Sequence, residues 1–397
     1  MAFRILSLDG GGSWALIQVK ALIALYDGRT GGHEVLNDFD MAVATSGGSI
    51  VLGGLLENLT LQGLLGYFQD SDKRRSIFSP TKSVFDKTVE ATLHIGPKYS
   101  ATNKLVALQT LLPGRGGQPL SSVASGLGRR GSSGIRLLII AFDYDRNRAV
   151  FFRSAAASAQ GWGEGEEAPN AVTLADAIHA STNAPIDYFD AAARFPGRPE
   201  RYWDGGVSGF NNPVLAAVTE ALVLRQAPAD IAALSIGTGS VALPSPVAGD
   251  GDSPYVRRPS DTGLLPDLKK LATAILDDPP DAASFIAHTM TGGPAGLLPP
   301  LDSRIVRMNP LIAPVRDRST QLWTAPGGMQ AAQFCHLRDL DMDAVEQLDV
   351  DLIGSFADSW IRDEVMNQPV RMDSDTLQKE IGSTTFGDAV RSWQMLR

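Results

Sequence analysis

The chain has a single cysteine, Cys335, so no intramolecular disulfide can staple it. Cys335 and its neighbour His336 form no metal-ligand cluster, because the nearest other histidine in sequence is His288. Histidine is scarce as a whole: His33, His94, His179, His288 and His336 are the complete set, and none lies in a motif that would pair it with a nucleophile. No Cys/His metal site is therefore expected. Long apolar runs are missing as well. No uninterrupted stretch reaches the roughly 18 residues that a bilayer span requires, and Gly54 to Phe68 is broken by Glu57, Asn58, Gln62 and Gly66. At the N-terminus an apolar run begins at Phe3 with no basic region or cleavage site ahead of it. The expectation is a cytoplasmic protein without a secretory signal, whose contact with membrane is at most peripheral.

Positive charge is also short. Lys and Arg number 35 against 44 Asp and Glu, and the net charge of −9 argues against a general nucleic-acid binder and against strong attraction to anionic lipid. The basic clusters Lys73-Arg74-Arg75, Arg129-Arg130 and Arg257-Arg258 are small and read as solvated loop faces.

What remains is a composition of 44% hydrophobic and 20% charged residues over 397 positions, which suits one large α/β domain with additions. Strand-like runs at Ile5 to Leu8, Phe39 to Ala44, Ile135 to Phe142, Val150 to Arg153 and Ile231 to Ile236 alternate with helical patterns. That alternation predicts a mostly parallel central sheet with helices on both faces. Pro113 to Gly134, Gln160 to Asn170 and Pro244 to Pro266 read as surface loops, and helical spacing resumes at Leu268 to Leu276 and Ala344 to Trp360. There is no internal repeat. Residues 218–397, with a strand near 231–236 followed by loops and helices, are expected to continue the domain that residues 4–217 begin.

Three turns carry the chemistry. In the first, Asp9-Gly10-Gly11-Gly12 follows a buried apolar run and precedes an amphipathic stretch, Leu16, Ile17, Val19, Leu22, Ile23 and Tyr26. Successive glycines let several N–H groups turn towards one point at the positive end of a helix, which makes an anion site. The same residues fit a dinucleotide fingerprint, Gly10-x-Gly12-x-x-Ala15, with Asp38 or Asp40 as the ribose acid, and a sugar kinase of the actin-like class also uses such a loop. The second turn, Ala44-Thr45-Ser46-Gly47-Gly48, joins an alternating strand to an apolar helix with Ser46 at its apex. A nucleophile held there needs small neighbours, a rule that Ala44, Gly47 and Gly48 meet, although glycine is usual where Ala44 stands. An ordinary capping serine in a Gly-Ser turn is the plainer alternative.

The third turn, Asp204-Gly205-Gly206, follows Tyr202 and Trp203, and Asn211-Asn212-Pro213 then opens a helix over Val214 to Leu224, with Asn212 as its N-cap and Pro213 at its first position. Asp-Gly-Gly alone would read as a hairpin turn. With no histidine in a suitable motif, a partly desolvated aspartate can act as the base for a serine, since removal from water disfavours the charged carboxylate.

Taken in order, these motifs resemble the patatin-like phospholipases: the loop at Asp9 to Gly12, the elbow at Ser46, Ala177 to Pro185, Asp204 to Gly206 with Asn211 to Pro213, and Ser235-Ile236-Gly237-Thr238-Gly239. The resemblance covers residues 4 to 240 and implies a three-layer α/β/α sandwich. For activity it implies a lipid acyl hydrolase of phospholipase A or lysophospholipase type. Ser46 would be the nucleophile, Asp204 the base, and Gly10, Gly11 and Gly12 the oxyanion donors, with no metal or cofactor. The expected partner is a lipid ester at a membrane surface, and apolar stretches at Leu55 to Phe68 and Ile77 to Phe85 are candidates for its acyl pocket or a bilayer-facing rim, with core packing the alternative for their leucines. Where the family usually carries a basic residue after the glycines, this chain has Ser13-Trp14-Ala15. A catalytically weakened, lipid-binding or regulatory protein on the same fold is the alternative.

Overall fold

Neighbouring residues along the central strands point to opposite faces, and here both sets are apolar, so the sheet must be covered on each side. The computed structural model describes residues 2–77, 99–129, 134–155, 172–185, 188–196, 198–247, 250, 253–258, 281–293, 303–317 and 319–397. Its main strands are β1 (Phe3–Leu8), β2 (Met41–Thr45), β3 (Arg136–Asp143), β4 (Arg148–Arg153), β5 (Ala193–Arg194), β6 (Arg201–Asp204) and β7 (Ile231–Ile236); after the short β8 (Ser240–Val241) comes β9 (Ile305–Met308). The sheet runs β5-β6-β3-β2-β1-β7-β9, with β4 also paired to β3. From β3 to β9 the pairs along this path are parallel, and β4, β5 and β6 are joined antiparallel.

The two faces are separate cores. Leu6, Leu8, Ala42, Ala44, Ile139, Leu234 and Ile236 pack into one, with α1 (Leu16–Tyr26), the short α2 (Gly32–Leu36) and α3 (Gly47–Leu56). Phe3, Ile5, Met41, Val43, Leu138 and Ile140 pack into the other, against Val214, Ala217 and Val218 of the helix Val214–Val223. A mostly parallel sheet between helical layers is thus the observed architecture. β9 joins the same sheet beside β7, and the helix Gln347–Ile361 buries Ile353, Phe356 and Trp360 in the same core as α1.

Several details depart from the sequence reading. The helix expected to have Asn212 as N-cap and Pro213 at its first position instead runs Val214–Val223 with Pro213 at the N-cap, while Asn212 Oδ1, one residue earlier, accepts the Val214 N–H at 3.1 Å. The stretch Pro113 to Gly134 contains a helical turn, Leu120–Ala124, whose Leu120 and Val123 are buried. Lys73-Arg74-Arg75 is not a solvated loop: it lies in the helix Ser71–Ile77, and Arg74 is buried, donating to the Phe68 carbonyl at 2.8 Å and to Gln347 at 2.9 Å. The expected helix at Leu268 to Leu276, the loop at Gln160 to Asn170, Arg130, His94 and all of Ile77 to Phe85 beyond Ile77 lie outside the described residues.

Candidate active site

β3 decides where the third turn falls. β2 and β4 overlap along β3 at residues 138–140, so they occupy its two opposite edges. β2 leaves β3 at the Thr45 and Ile140 pair, and β6 takes over that edge from the Ala141 and Asp204 pair onwards. Asp204 therefore lies at the point where β2 turns away, one residue before Ser46. The topology brings residues 46 and 204 together before any side-chain interaction is counted.

Ser46 occupies the sharp turn itself, with φ 47° and ψ −125°. A positive φ is costly for a residue with a Cβ, and strain of this kind persists only where the surroundings fix it. Three bonds do so: the Ser46 N–H donates to Ser181 Oγ at 2.9 Å, Ser181 donates to the Ile140 carbonyl at 2.6 Å, and Ser49 Oγ donates to the Ser46 carbonyl at 2.6 Å. α3 starts directly after it. The Ser46 hydroxyl donates to Asp204 Oδ2 at 2.5 Å, and both residues are 6% exposed.

The other Asp204 oxygen, Oδ1, accepts the Gly206 N–H at 2.8 Å, and its own N–H donates to the Asn183 carbonyl at 3.0 Å. Burial pushes the Asp204 carboxyl up to about 6, against the opposing pull of the Ser46 hydroxyl, the Gly206 N–H and the charge of Lys104. No histidine reaches this pair among the described residues. His179 is buried, and burial together with the Lys104 charge pushes its imidazole down to about 2, so it is neutral at physiological pH.

The glycine loop closes over the elbow. A Cβ at Gly47 would stand 2.6 Å from the Gly12 carbonyl oxygen and 2.8 Å from its nitrogen, so the first residue of α3 must be glycine for the loop to come this close. The Gly10 N–H is committed to the Asn211 carbonyl at 2.9 Å. Those of Gly11 and Gly12 have no partner among the described residues. The loop is held from behind by Thr238, which donates to the Gly10 carbonyl at 2.6 Å, and by a buried ion pair, Asp9 to Arg307 at 2.6 Å.

From the C-terminal part, Asp341-Met342-Asp343 crosses this loop. The Met342 carbonyl accepts from the Ser13 N–H and hydroxyl, both at 3.0 Å, and the Asp341 carbonyl accepts from the Trp14 indole at 3.0 Å. Ser13 and Trp14, where the sequence lacks the usual basic residue, are thus the anchors of a strap. Between strap and elbow lies a cavity of about 20 Å³, a volume of water size. Its apolar wall is Ile50, Ala184, Tyr188, Phe189 and Met342. Leu55 to Phe68 do not line it: Leu55, Leu56, Leu61, Leu64, Leu65 and Phe68 are packed in the core.

The nucleotide alternatives find no support in this arrangement. Asp40 precedes β2 at the far end of the strand from the loop, where it accepts the Arg4 N–H at 2.8 Å and pairs with Arg129. Asp38 pairs with Arg397. Among the described residues no three His, Cys, Asp or Glu side chains gather as a metal site, and no helix is long and apolar enough to cross a membrane.

The sequence model of the patatin-like phospholipases matches residues 6–218. The chain belongs to that family. Membership places this patatin-like protein among lipid acyl hydrolases in general. No curated protein sequence matches it. Among solved structures it is similar to VipD from Legionella pneumophila, with a TM-score of 0.34 and 9% identity, covering 90% of this chain and 67% of that one.

Sequence reasoning missed Lys104, Ser181, Asn183 and Met342. Ser181 and Asn183 lay inside a segment already singled out, Ala177 to Pro185, but without a role. Lys104 had a signal of its own, since Ala101, Lys104, Leu108 and Leu111 are the buried stripe of the helix Ala101–Leu111, and a lysine in such a stripe is out of place.

Proposed function

We propose that this patatin-like protein hydrolyses the acyl esters of lipids with a Ser46–Asp204 dyad. The observation that carries this reading is the 2.5 Å contact from Ser46 Oγ to Asp204 Oδ2 at a strained turn that faces the unpartnered Gly11 and Gly12 N–H groups. Asp204 takes the hydroxyl proton as Ser46 Oγ attacks the ester carbonyl. The oxygen that becomes negative is held by the Gly11 and Gly12 N–H groups, with the N-terminus of α3 behind them. When the bond to the alcohol breaks, Asp204 returns the proton to the departing oxygen. Water then attacks the acyl-enzyme, gives its proton to Asp204, and frees the fatty acid as Ser46 recovers its own. The Gly10 N–H stays with Asn211, so Gly10 serves this step by its shape: a Cβ there would lie 3.0 Å from the Ser46 Cβ.

Raised by burial, Asp204 is a stronger base than an exposed aspartate while still ionised near neutral pH. The apolar wall of Ile50, Tyr188, Phe189 and Met342 suits an acyl chain, and the small volume requires those side chains to shift when the chain enters. The test is a comparison of purified wild type and Ser46→Ala on vesicles of mixed phospholipid, lysophospholipid and galactolipid, with released fatty acids and residual lipids identified by mass spectrometry. Fatty acid release by wild type alone is the expected result, and the lipid consumed names the substrate. Equal release by both proteins would remove Ser46 from the mechanism.

A further inference from the structure

Lys104 is a lysine with no access to solvent. Its ammonium has three partners: Asn183 Oδ1 at 2.8 Å, the His179 carbonyl at 3.1 Å, and the face of the Phe189 ring, with Nζ 4.0 Å from the centroid. Burial pushes the Lys104 ammonium well below the usual lysine range and the charge of Asp204 pulls it back, while two oxygen acceptors and a π face favour the protonated amine, which has a donor for each. Of the residues lining the cavity, Lys104 is the one cation and Asp204 the one anion. The two are also linked through Asn183, whose side chain holds Lys104 while its backbone carbonyl accepts the Asp204 N–H.

The other ionisable groups around the pair are accounted for. On the helix Leu174–Ser181, His179 is neutral and Asp176 accepts the Thr173 hydroxyl at 2.7 Å. On the helix Ser71–Ile77, which packs against that of Lys104, Arg74 is held by the Phe68 and Val345 carbonyls and Gln347, Arg75 pairs with Glu346, Lys73 lies over the Tyr67 ring, and Asp72 is exposed. Asp190 accepts the Ala101 N–H at 2.9 Å, Asp343 accepts the Tyr99 hydroxyl at 2.6 Å, and Asp341 accepts the Tyr188 hydroxyl at 2.5 Å. Lys104 itself is the sole ionisable residue of the helix Ala101–Leu111.

We propose that Lys104 is a positioning and charge-setting residue of the Ser46–Asp204 site: through Asn183 it aims Asp204, and its positive charge keeps the buried carboxylate ionised and able to accept the serine proton. The proposal rests on the dyad reading. It also supplies a cation that the glycine loop lacks, from a helix on another part of the chain. Without it, only the Ser46 hydroxyl and the Gly206 N–H would oppose the burial that raises Asp204, and a protonated Asp204 cannot take the Ser46 proton.

The test is the pH dependence of kcat/KM on a neutral, soluble short-chain ester, for wild type, Lys104→Met, Lys104→Gln and Lys104→Arg, with Ser46→Ala as control. Removing the cation that lines the same cavity as the buried carboxylate is expected to raise the acid limb by about one pH unit. Lys104→Met and Lys104→Gln should then lose up to about 10-fold below pH 6, recover most of it at pH 9, and keep KM near wild type. Lys104→Arg should return the limb towards its original position. A uniform loss at every pH with an unmoved limb overturns the proposal and leaves the dyad standing. Activity retained by Ser46→Ala overturns the dyad instead. Should both neutral variants fail to fold, Asn183→Ala decides, since it keeps the backbone carbonyl that accepts the Asp204 N–H and removes the side-chain tie to Lys104: a raised acid limb supports the proposal, and an unmoved one contradicts it.

Discussion

Ser46 Oγ and Asp204 Oδ2 are 2.5 Å apart although 158 residues separate them in the chain, and the contact follows from the way β6 succeeds β2 along one edge of β3. The pairing is a property of the sheet, so it survives substitutions that remove only the chemistry. The following predictions depend on that separation.

Asp204→Asn keeps the side-chain shape and removes the base. Turnover of a soluble ester is expected to fall by roughly 10² to 10⁴. In wild type, kcat/KM should rise with pH through about 6 as the carboxyl raised by burial loses its proton. Stability runs the other way. A carboxyl whose folded pKa lies above its unfolded value of 3.8 stabilises the fold below that value, and the contribution is lost as pH rises through about 6. Asp204→Asn should therefore gain stability relative to wild type between pH 4 and pH 8, on the order of 2 kcal/mol. Urea unfolding at the two pH values measures it.

Gly12→Ala places a methyl at φ +55°, 2.3 Å from the Met342 carbonyl oxygen. Neither the loop nor the strap accommodates it without moving, and movement displaces the Gly12 N–H. A loss of stability of about 1–2 kcal/mol and a fall in kcat of roughly 10-fold or more are expected, read by thermal unfolding and steady-state kinetics.

Arg307→Met leaves Asp9 buried without its partner. Breaking such a pair costs about 3–5 kcal/mol, and because Asp9 opens the glycine loop, activity should fall with it. The double variant Asp9→Asn with Arg307→Met should recover part of the lost stability, since no charge is then stranded.

Much of this was legible in the chain because the signals are local. Apolar runs bounded by turn residues placed β1, β2, β3 and β7, and small residues around Ser46 and Asp204 marked two turns at strand ends. What escaped depends on contacts across the chain. Arg74 looks solvated in a run of three basic residues, and its burial is explained by the carbonyls of Phe68 and Val345 and the side chain of Gln347. Arg307 lies 298 positions from Asp9, with no spacing rule to connect them. The strap at Met342 meets Ser13 at a separation of 329, so the replacement of a basic residue by Ser13 and Trp14 read as a deficit when it provides an anchor. Ala44 stands where glycine is usual, yet it sits inside β2, paired with Leu8 and Ile139, where its methyl belongs to the core.

The most direct test of the central claim is to treat the protein with a fluorophosphonate and locate the adduct by peptide mass spectrometry, alongside hydrolysis by Ser46→Ala. The account predicts one adduct, on Ser46, with labelling that declines below about pH 6 as Asp204 gains a proton, and no hydrolysis by the variant. An adduct on another serine, or wild-type hydrolysis by Ser46→Ala, would contradict it.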